Sequence, residues 1–356
     1  MDDYFSSLIF ESDFFDVELR DNAVVVYLKS SNNVLSSSWL NGGYFEDATS
    51  IINQSLTTDD YSFVEHNGSE AFQKKRMSEL GLDSSNSMGL LTSASMDNVS
   101  ISTKEYKNLS VTSIVTAGAD KNGVKAGDTA SFYEENNKYY PNTGTINIIT
   151  LIDANLDAGG LVTASITLTE AKTSVLSDLK VESQYSNFIA TGTGTDGLSV
   201  VSNNDSDNHL ENAGKHSKLG ELIASSVREA LFDALYLQTF MSYEYQSTVL
   251  SRMSRFNVFF DDFFEKSGFT SKVDYASMFY EVNKDNSTVS VVSSILNLVD
   301  EVNVGLLELN DVAGTIVYLL DRICPSNEKN GLSSVDDVIG LIVSTLNNKI
   351  KEGELI

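Results

Sequence analysis

The chain has 356 residues, of which 41% are hydrophobic and 10% aromatic. This is enough apolar material for a globular core, and the length allows one large domain or two of ordinary size. The formal net charge is −26, from 50 Asp and Glu against 24 Lys and Arg residues. A surface this acidic repels phosphate backbones, so we expect no nucleic-acid partner. We interpret the acidity as a solvated surface, with attraction of a cationic ligand as the alternative.

The sequence predicts a cytoplasmic protein. Cys324 is the single cysteine, so no internal disulfide forms, and we interpret it as a small buried apolar residue. The first residues lack the basic and apolar regions of a signal peptide. No stretch approaches the roughly 18 consecutive apolar residues of a membrane span. We therefore expect no membrane span.

Strands are predicted in chain order where β-branched or alternating residues lie between turn residues. These segments are 23–28, 34–40, 88–92, 109–116, 144–149, 161–169, 187–190 and 198–201. Segment 34–40 follows a turn at 31–33 and is predicted to pair with 23–28. Segment 161–169 is predicted to be the neighbour of 144–149. Residues 120–141 are polar and glycine-containing, and they predict a surface loop.

Helices are predicted where apolar residues recur every three or four positions. These segments are 45–56, 170–179, a long amphipathic helix over 219–235, and then 289–299 and 312–323. Interleaved strands and helices predict an α/β or α+β layered domain with a mixed sheet over 1–240. The phenylalanine-rich stretch 256–269 predicts a core stripe in a helical C-terminal appendage, 241–356, whose role the sequence leaves open.

The segment 190–196 alternates Gly and Thr at the end of a predicted strand. Such a segment lets the backbone approach a ligand closely and points N–H groups and hydroxyls into one pocket. It is compatible with a phosphate cradle, although no Lys lies in the loop, or with an oxyanion hole for an amide substrate. A tight structural turn is the third interpretation.

The second polar segment is 213–221, where Lys215, His216, Lys218 and Glu221 are predicted to lie in the first turn of the long helix. Lysines there oppose the helix dipole, a local cost expected at functional sites. The positive field favours the neutral imidazole of His216, the form that a general base needs. The alternative is a structural histidine.

Motifs of other enzyme classes are missing from the sequence. His66 lies in a turn and His209 in a polar loop, and both are interpreted as surface residues. Three histidines without CxxC or HExxH give no metal site, and no GxSxG elbow supports a serine triad.

Seven segments together resemble the adenosylcobinamide amidohydrolases, the CbiZ family. In order, they are 35–43, 89–94, 115–118, 144–148, 169–172, 190–196 and 213–221. The resemblance covers roughly residues 15–237 and leaves out the C-terminal appendage. It implies hydrolysis of adenosylcobinamide to adenosylcobyric acid and 1-amino-2-propanol, a corrinoid salvage reaction typical of archaea and some bacteria.

The resemblance and the residue types together give candidate site residues, and the roles follow from amide-hydrolysis chemistry. His216 is the expected base, acting on water or a Thr hydroxyl, while Glu170 or Asp196 orients that base or protonates the leaving amine. Lys172 and Lys215 are expected to hold corrin side-chain amides. The other expected substrate-binding residues are Ser37, Asn41, Thr145, Asn147, Thr191, Gly192, Thr193, Gly194 and Thr195, with the N–H groups of Gly192 and Gly194 facing the oxyanion.

We expect no protein-bound cofactor or metal, because the cobalt enters within the corrinoid substrate. A small-molecule corrinoid is the expected partner, and a homo-oligomer is compatible with the sequence. Three alternatives stay open: a non-catalytic corrinoid-binding or carrier protein, a phosphate-handling enzyme, and a Ser/Thr/Asn-rich surface protein.

Overall fold

The computed structural model describes residues 6–131, 133, 145–325 and 331–354. The chain divides into two compact units, Met1–Ser242 and Tyr243–Ile356. The first contains mixed sheets with helices, and the second is helical, so the predicted mixed α/β class with a helical C-terminal region is confirmed.

The strands of the first unit form a five-stranded sheet in the order β1-β2-β3-β6-β7, a six-stranded sheet in the order β5-β4-β13-β11-β9-β8, and the pair β10-β12. The described strands are β1 Ser6–Glu11, β2 Phe15–Arg20, β3 Ala23–Leu28, β4 Asn32–Ser36, β5 Gly43–Glu46, β6 Ser50–Ser55, β7 Ser87–Thr92, β8 Ser100–Tyr106, β9 Leu109–Ala117, β10 Gly123–Val124, β11 Ile146–Ile152, β12 Gly192–Thr193 and β13 Gly197–Asn203.

The helices of the first unit are α1 Thr58–Asn67, α2 Ser69–Glu79, α3 Ala158–Asp178 and α4 Lys218–Thr239, with a 3₁₀ turn at Met96–Asn98. The second unit contains α5 Tyr243–Gln246, α6 Val249–Met253, α7 Phe260–Ser267, α8 Lys272–Lys284, α9 Asn286–Asn303, α10 Leu309–Asp321 and α11 Val335–Glu354, with a 3₁₀ turn at Ser254–Phe256. Within the described ranges, no helix is both long enough and apolar enough to cross a lipid bilayer.

The first unit is layered helix–sheet–sheet–helix, because successive side chains of a strand point to opposite faces. Val24 of β3 and Ile149 of β11 lie in one apolar core between the two large sheets. Val25 of β3 turns the other way and packs with α2. Ile148 of β11 likewise packs with α3 and α4. Each fully buried aliphatic side chain of this kind contributes about 1.5–3 kcal/mol relative to an exposed one.

One end of the six-stranded sheet gathers several of the segments that carry the family resemblance. β11 and β13 are parallel, with Asn147 opposite Gly197. β9 runs antiparallel to β11, and β4 antiparallel to β13. The first residues of β11 and β13 therefore lie beside the last residues of β9 and β4. Loops leaving this end hold the candidate residues that precede β11 and β13 or follow β4.

The predicted pairing of 23–28 with 34–40 is wrong. β3 belongs to the five-stranded sheet and β4 to the six-stranded sheet. The side chain of Asn32 donates to the carbonyls of Ser30 (2.8 Å) and Ala48 (3.0 Å), which holds the chain where it crosses from one sheet to the other. The residue pattern indicates that both segments are strands, but it carries no information on this crossing.

The predicted helix over 45–56 is also wrong, because this segment forms the end of β5 and all of β6. β6 lies between β3 and β7, and Ser50 to Gln54 are all buried. A strand covered on both faces shows a continuous buried run instead of alternation, and such a run is easily mistaken for a helix segment.

The predicted strand over 161–169 is instead the first half of α3, while the predicted helix 170–179 is confirmed as its second half. Asp157 caps the helix by accepting a hydrogen bond from the N–H of Gly160 (2.7 Å). Leu161, Ala164 and Leu168 are buried at helical spacing. Tertiary packing thus overrides the strand preference of the Thr, Ile and Val residues in this segment.

The remaining predictions for the first unit are mostly confirmed. The strands at 88–92, 109–116 and 198–201 and the helix at 219–235 lie within β7, β9, β13 and α4, and 144–149 overlaps β11, although Gly144 is outside the described residues. The segment 187–190 makes only an isolated bridge between Glu182 and Ile189. The predicted loop 120–141 contains β10, and most of its second half lies outside the described residues.

The helical unit has its own apolar core. The predicted helices at 289–299 and 312–323 correspond to α9 and α10, the latter ending at Asp321. Phe263 is fully buried and packs against Phe279, as expected for a core stripe, whereas Phe259 is 52% exposed.

Two capping carboxylates stabilise this unit in a pH-dependent way. The ammonium of Lys349 (2.9 Å) and the hydroxyl and N–H of Thr288 hold the pKa of Asp285 far below its usual range. Ser333 and Ser334 lower the pKa of Asp337 to about 2. A depressed pKa in the folded state gives stability that is present above the unfolded value and lost as the pH falls through the folded value.

We therefore expect the helical unit to lose stability as the pH falls from about 4 towards 2. Asp285→Asn keeps a good capping residue but removes the charge, so it should lower the melting temperature clearly at pH 7 and much less near pH 2. Circular dichroism of the full chain measures this loss, and fluorescence of Trp39, the only tryptophan, reports on the first unit. Asp336→Asn is the matched control, and an equal loss from Asp285→Asn at both pH values would contradict the assignment.

Candidate active site

Asp196 is the most firmly held polar group of the glycine–threonine segment. One carboxylate oxygen accepts hydrogen bonds from the N–H (3.0 Å) and the hydroxyl (2.6 Å) of Thr193. The other forms an ion pair with the ammonium of Lys172, which extends from α3. The side chains of Lys172 and Asp196 are only 10% and 21% exposed. Charge-assisted contacts of this kind are strong and directional, so the carboxylate has a fixed orientation.

Glycines in this segment provide space for the polar contacts. A Cβ atom at Gly192 would lie within 3.0 Å of both the Asp196 carboxylate and the Lys172 ammonium. A Cβ at Gly194 would lie 3.2 Å from the side-chain oxygen of Asn122. Gly192 is therefore required by the ion pair itself, because any side chain there would push the two charges apart.

The threonines anchor the segment to its neighbours. The hydroxyl of Thr191 accepts a hydrogen bond from the N–H of Ala126 (2.8 Å), and its carbonyl accepts one from Thr173 (2.9 Å). The hydroxyl of Thr145 donates to the carbonyl of Thr195. These contacts give the Asp196 loop a rigid frame.

One group proposed for the oxyanion hole already has a partner. The N–H of Gly194, expected to face an oxyanion, donates to the carbonyl of Asn122 (3.3 Å).

Asn147 lies between the two large sheets and is 1% exposed. Its side-chain N–H groups donate to the side-chain oxygen of Asn53 (2.8 Å) and to the carbonyl of Leu91 (3.0 Å). Asn53 in turn donates to the hydroxyl of Thr116 (2.8 Å). The sequence predictions missed Asn53, although a polar pair inside the buried run of β6 is the signal that could have identified it.

Ser37 and Asn41 make structural contacts near the same end of the fold. The hydroxyl of Ser37 accepts a hydrogen bond from the N–H of Leu198 (2.9 Å), which extends the pairing of β4 with β13. The side chain of Asn41 donates to the carbonyls of Ser84 (3.0 Å) and Ser87 (2.7 Å), which fixes the turn before β7.

The predicted first turn of the long helix needs a correction. α4 begins at Lys218, and Ser217 is the N-cap, accepting a hydrogen bond from the N–H of Gly220 (3.0 Å). Lys215 and His216 therefore precede the helix, and only Lys218 and Glu221 lie in its first turn. The physical reason is that serine caps helix starts well, whereas Lys and His do not. Of the two lysines expected to oppose the helix dipole, only Lys218 lies in the first turn, and its ammonium pairs with Glu221 (2.6 Å).

Lys215 forms an ion pair with Glu170 of α3, and both side chains are at least half exposed. His216 is exposed, and among the described residues no hydrogen bond or ion pair involves its side chain. Exposed pairs of this kind contribute little to stability, about 0–1 kcal/mol.

The candidate residues fall into two groups that contact α3 through different residues. Thr167 donates to the carbonyl of Ala213 (2.8 Å), and Glu170 pairs with Lys215, so the segment before α4 lies along one face of the helix. Lys172 is two residues after Glu170 and so points about 200° around the axis, towards Asp196. The structure brings Lys172, Thr193 and Asp196 together, and it brings Glu170 and Lys215 together, but no described contact joins the two groups.

The other two histidines are surface residues, as expected. His66 lies in the last turn of α1 and not in the predicted loop turn, but it is exposed and bonds to the carbonyl of Ser62 (2.7 Å). His209 is exposed next to Asn155. In the part of the chain that the structure describes, no group of three or more His, Cys, Asp or Glu side chains is arranged to hold a metal ion.

Comparison with known proteins identifies the family. The family model described as adenosylcobinamide amidohydrolase, CbiZ, matches residues 8–243. The chain belongs to the CbiZ family. The match ends close to the boundary between the two compact units, so the helical unit lies outside the family region.

The chain is also similar to individual proteins. It is 31% identical over 227 residues to the uncharacterized protein MJ1613 of Methanocaldococcus jannaschii, which covers 60% of this chain and 86% of that protein. Among solved structures, the PH0078 protein from Pyrococcus horikoshii matches with a TM-score of 0.32 at 12% identity, over 64% of this chain and 82% of that chain.

We predict that Gly192→Ala disrupts the Lys172–Asp196 ion pair. The added methyl group must displace one of the two charged atoms, so we expect a loss of about 1–3 kcal/mol in the free energy of unfolding. Urea unfolding followed by Trp39 fluorescence measures this change. Gly159→Ala, at an exposed position in the first turn of α3, is the matched control and should be close to neutral. Equal stability of both variants would show that the loop accepts a side chain at 192.

Proposed function

We propose that this protein hydrolyses the amide bond of adenosylcobinamide to give adenosylcobyric acid and 1-amino-2-propanol, as a step of corrinoid salvage. The observation that carries the proposal is the family match over residues 8–243, nearly the whole of the first compact unit. The arrangement around Asp196 supports it, because it supplies groups of the type that amide hydrolysis requires.

Amide hydrolysis needs a nucleophile, a base that takes its proton, and a proton for the departing amine. The hydroxyl of Thr193 lies 2.6 Å from the Asp196 carboxylate, within the distance over which a base accepts a proton from a nucleophile. Lys172 orients the carboxylate from the other side. In the proposed reaction, Asp196 takes a proton from the Thr193 hydroxyl or from a water molecule in the same position.

The deprotonated oxygen then attacks the carbonyl carbon of the amide. The protonated carboxyl returns the proton to the nitrogen as the C–N bond breaks, and 1-amino-2-propanol leaves. If Thr193 is the nucleophile, a water molecule hydrolyses the resulting ester and restores the hydroxyl. Asp196 then serves as base in one step and as acid in the next, so one carboxylate satisfies both requirements.

The role of His216 as the base remains a prediction, and the described hydrogen bonds favour Asp196 as the base instead. A base acts through a hydrogen bond to the group that it deprotonates, and Asp196 has such a bond whereas His216 has none among the described residues. We assign Glu170 and Lys215 to substrate contact, because a flexible exposed ion pair can open to bind amide groups.

We expect Asp196→Asn to lower turnover of adenosylcobinamide about 10²- to 10⁴-fold, because the variant keeps the shape of the side chain but cannot take up the proton. His216→Ala should lose less than about tenfold. Mass spectrometry of released 1-amino-2-propanol measures both variants, and Asp207→Asn, an exposed loop residue, is the matched control.

Two results would contradict this assignment. If His216→Ala abolished turnover and Asp196→Asn did not, the chemistry would belong to the segment before α4. If the wild type bound the corrinoid without releasing the amine, the protein would be a carrier.

Chelation provides a separate test of the proposed chemistry. We expect turnover to persist after exhaustive treatment with EDTA, since the proposed steps use only side-chain oxygen and nitrogen groups and the cobalt remains within the corrin. Turnover is measured before and after chelation by the same release assay. Loss of turnover that zinc restores would show that a protein-bound metal is required.

A further inference from the structure

A buried chain of side-chain amides lies directly behind the Asp196 loop. Asn147 donates both side-chain hydrogens, to Asn53 and to Leu91, and Asn53 donates to Thr116. Because both partners of the Asn147 amide group are acceptors, its orientation is fixed, and its oxygen must point the other way. Asn147, Asn53 and Thr116 are 1%, 2% and 0% exposed, so water does not compete for these bonds.

Among the residues that the structure describes, none donates a hydrogen bond to the side-chain oxygen of Asn147, although this oxygen is buried. A buried acceptor left without a donor destabilises a protein by about 1–3 kcal/mol. Apolar side chains fill the core on the same face of β11 at Ile149 and Leu151. An apolar residue at 147 would remove this acceptor but would leave the Asn53 oxygen and the Leu91 carbonyl without this donor, so the amide links the two sheets at the cost of its own unpaired oxygen.

The unpartnered oxygen faces Gly197. A Cβ atom at Gly197 would lie 2.5 Å from this oxygen, so only glycine fits there, and the amide is in close contact with the backbone that follows Asp196. On the other side of Asp196, the hydroxyl of Thr145 donates to the carbonyl of Thr195. The first residues of β11 and the residue before them thus hold the Asp196 loop on both sides.

We infer that Asn147, held by Asn53, is a positioning residue that sets the place of Asp196 through Gly197. This inference rests on the proposed function, in which Asp196 is the base. It assigns Asn147 a role behind the reacting groups in place of the substrate contact that the resemblance implied. Its link to Asn53 and Leu91 also fixes the five-stranded sheet to the loop, so the carboxylate is positioned relative to both sheets.

The test replaces both amides by residues of similar size without polar groups, in the double variant Asn53→Leu/Asn147→Leu. Removing both partners of the Asn53–Asn147 hydrogen bond is close to neutral for stability, whereas the Leu91 carbonyl and the Thr116 hydroxyl each lose one donor, so we expect a folded protein with a lowered melting temperature. We expect kcat for adenosylcobinamide to fall about 10- to 100-fold with KM changed less than about threefold, because a small misplacement of a reacting group affects the rate more than binding. A purely structural role would leave kcat unchanged in a folded variant.

Thr150→Val is the matched control. Thr150 is buried on the same strand but on the opposite face, where it bonds to Ser113 (3.1 Å), and its replacement should leave kcat unchanged. If the double variant unfolds, Asn147→Asp provides a second test, because it retains the shape and the acceptor and loses both donors.

A crystal structure of the folded variant separates this inference from the proposed function. We expect the Asp196 carboxylate to move out of ion-pair distance, beyond about 4 Å, from Lys172. Asp196 and Gly197 in unchanged positions, or kcat unchanged in a folded variant, would overturn the inference. If the wild type does not hydrolyse adenosylcobinamide, the proposed function fails, and the position of Asp196 in the variant still decides whether Asn147 places it.

Discussion

The parallel register of β11 and β13 is the constraint on which the site depends. It sets Asn147 opposite Gly197, so the buried amide lies against the residue that follows Asp196. Because side chains alternate along a strand, a shift of one residue would turn Asn147 away from the sheet interface and into the layer of α3 and α4. The same shift would remove the Thr145 contact with Thr195. The fold therefore specifies the place of the carboxylate through strand pairing.

Several elements could be predicted from the sequence because their pattern is local. β9 and β13 contain β-branched runs, and the apolar stripe of α4 repeats every three or four residues. The secondary-structure predictions that are wrong concern segments whose structure is decided by their packing partners. β6 is covered on both faces, and the first half of α3 is rich in residues that prefer strands. Whether these segments form a strand or a helix depends on packing partners that are distant in sequence.

In the candidate site, too, local features could be predicted from the sequence, whereas contacts between distant segments could not. Family resemblance and residue type identified Asp196, Lys172 and the glycines that make room for them, and the structure brings these together. The position of His216 relative to Asp196 could not be predicted from local pattern, since it depends on which residues of α3 the two segments contact. The link between Asn147 and Asn53 joins residues 94 positions apart, a separation that no motif describes.

The central claim is that the scissile amide of a corrinoid binds against Asp196 and Thr193, beside Lys172 of α3. A crystal structure of the Asp196→Asn variant with adenosylcobinamide bound tests this most directly. The account predicts the amide carbonyl carbon within about 3–3.5 Å of the Thr193 hydroxyl or of a water molecule held between residues 193 and 196. An amide bound instead beside Glu170 and Lys215, with His216 against it, would contradict the account.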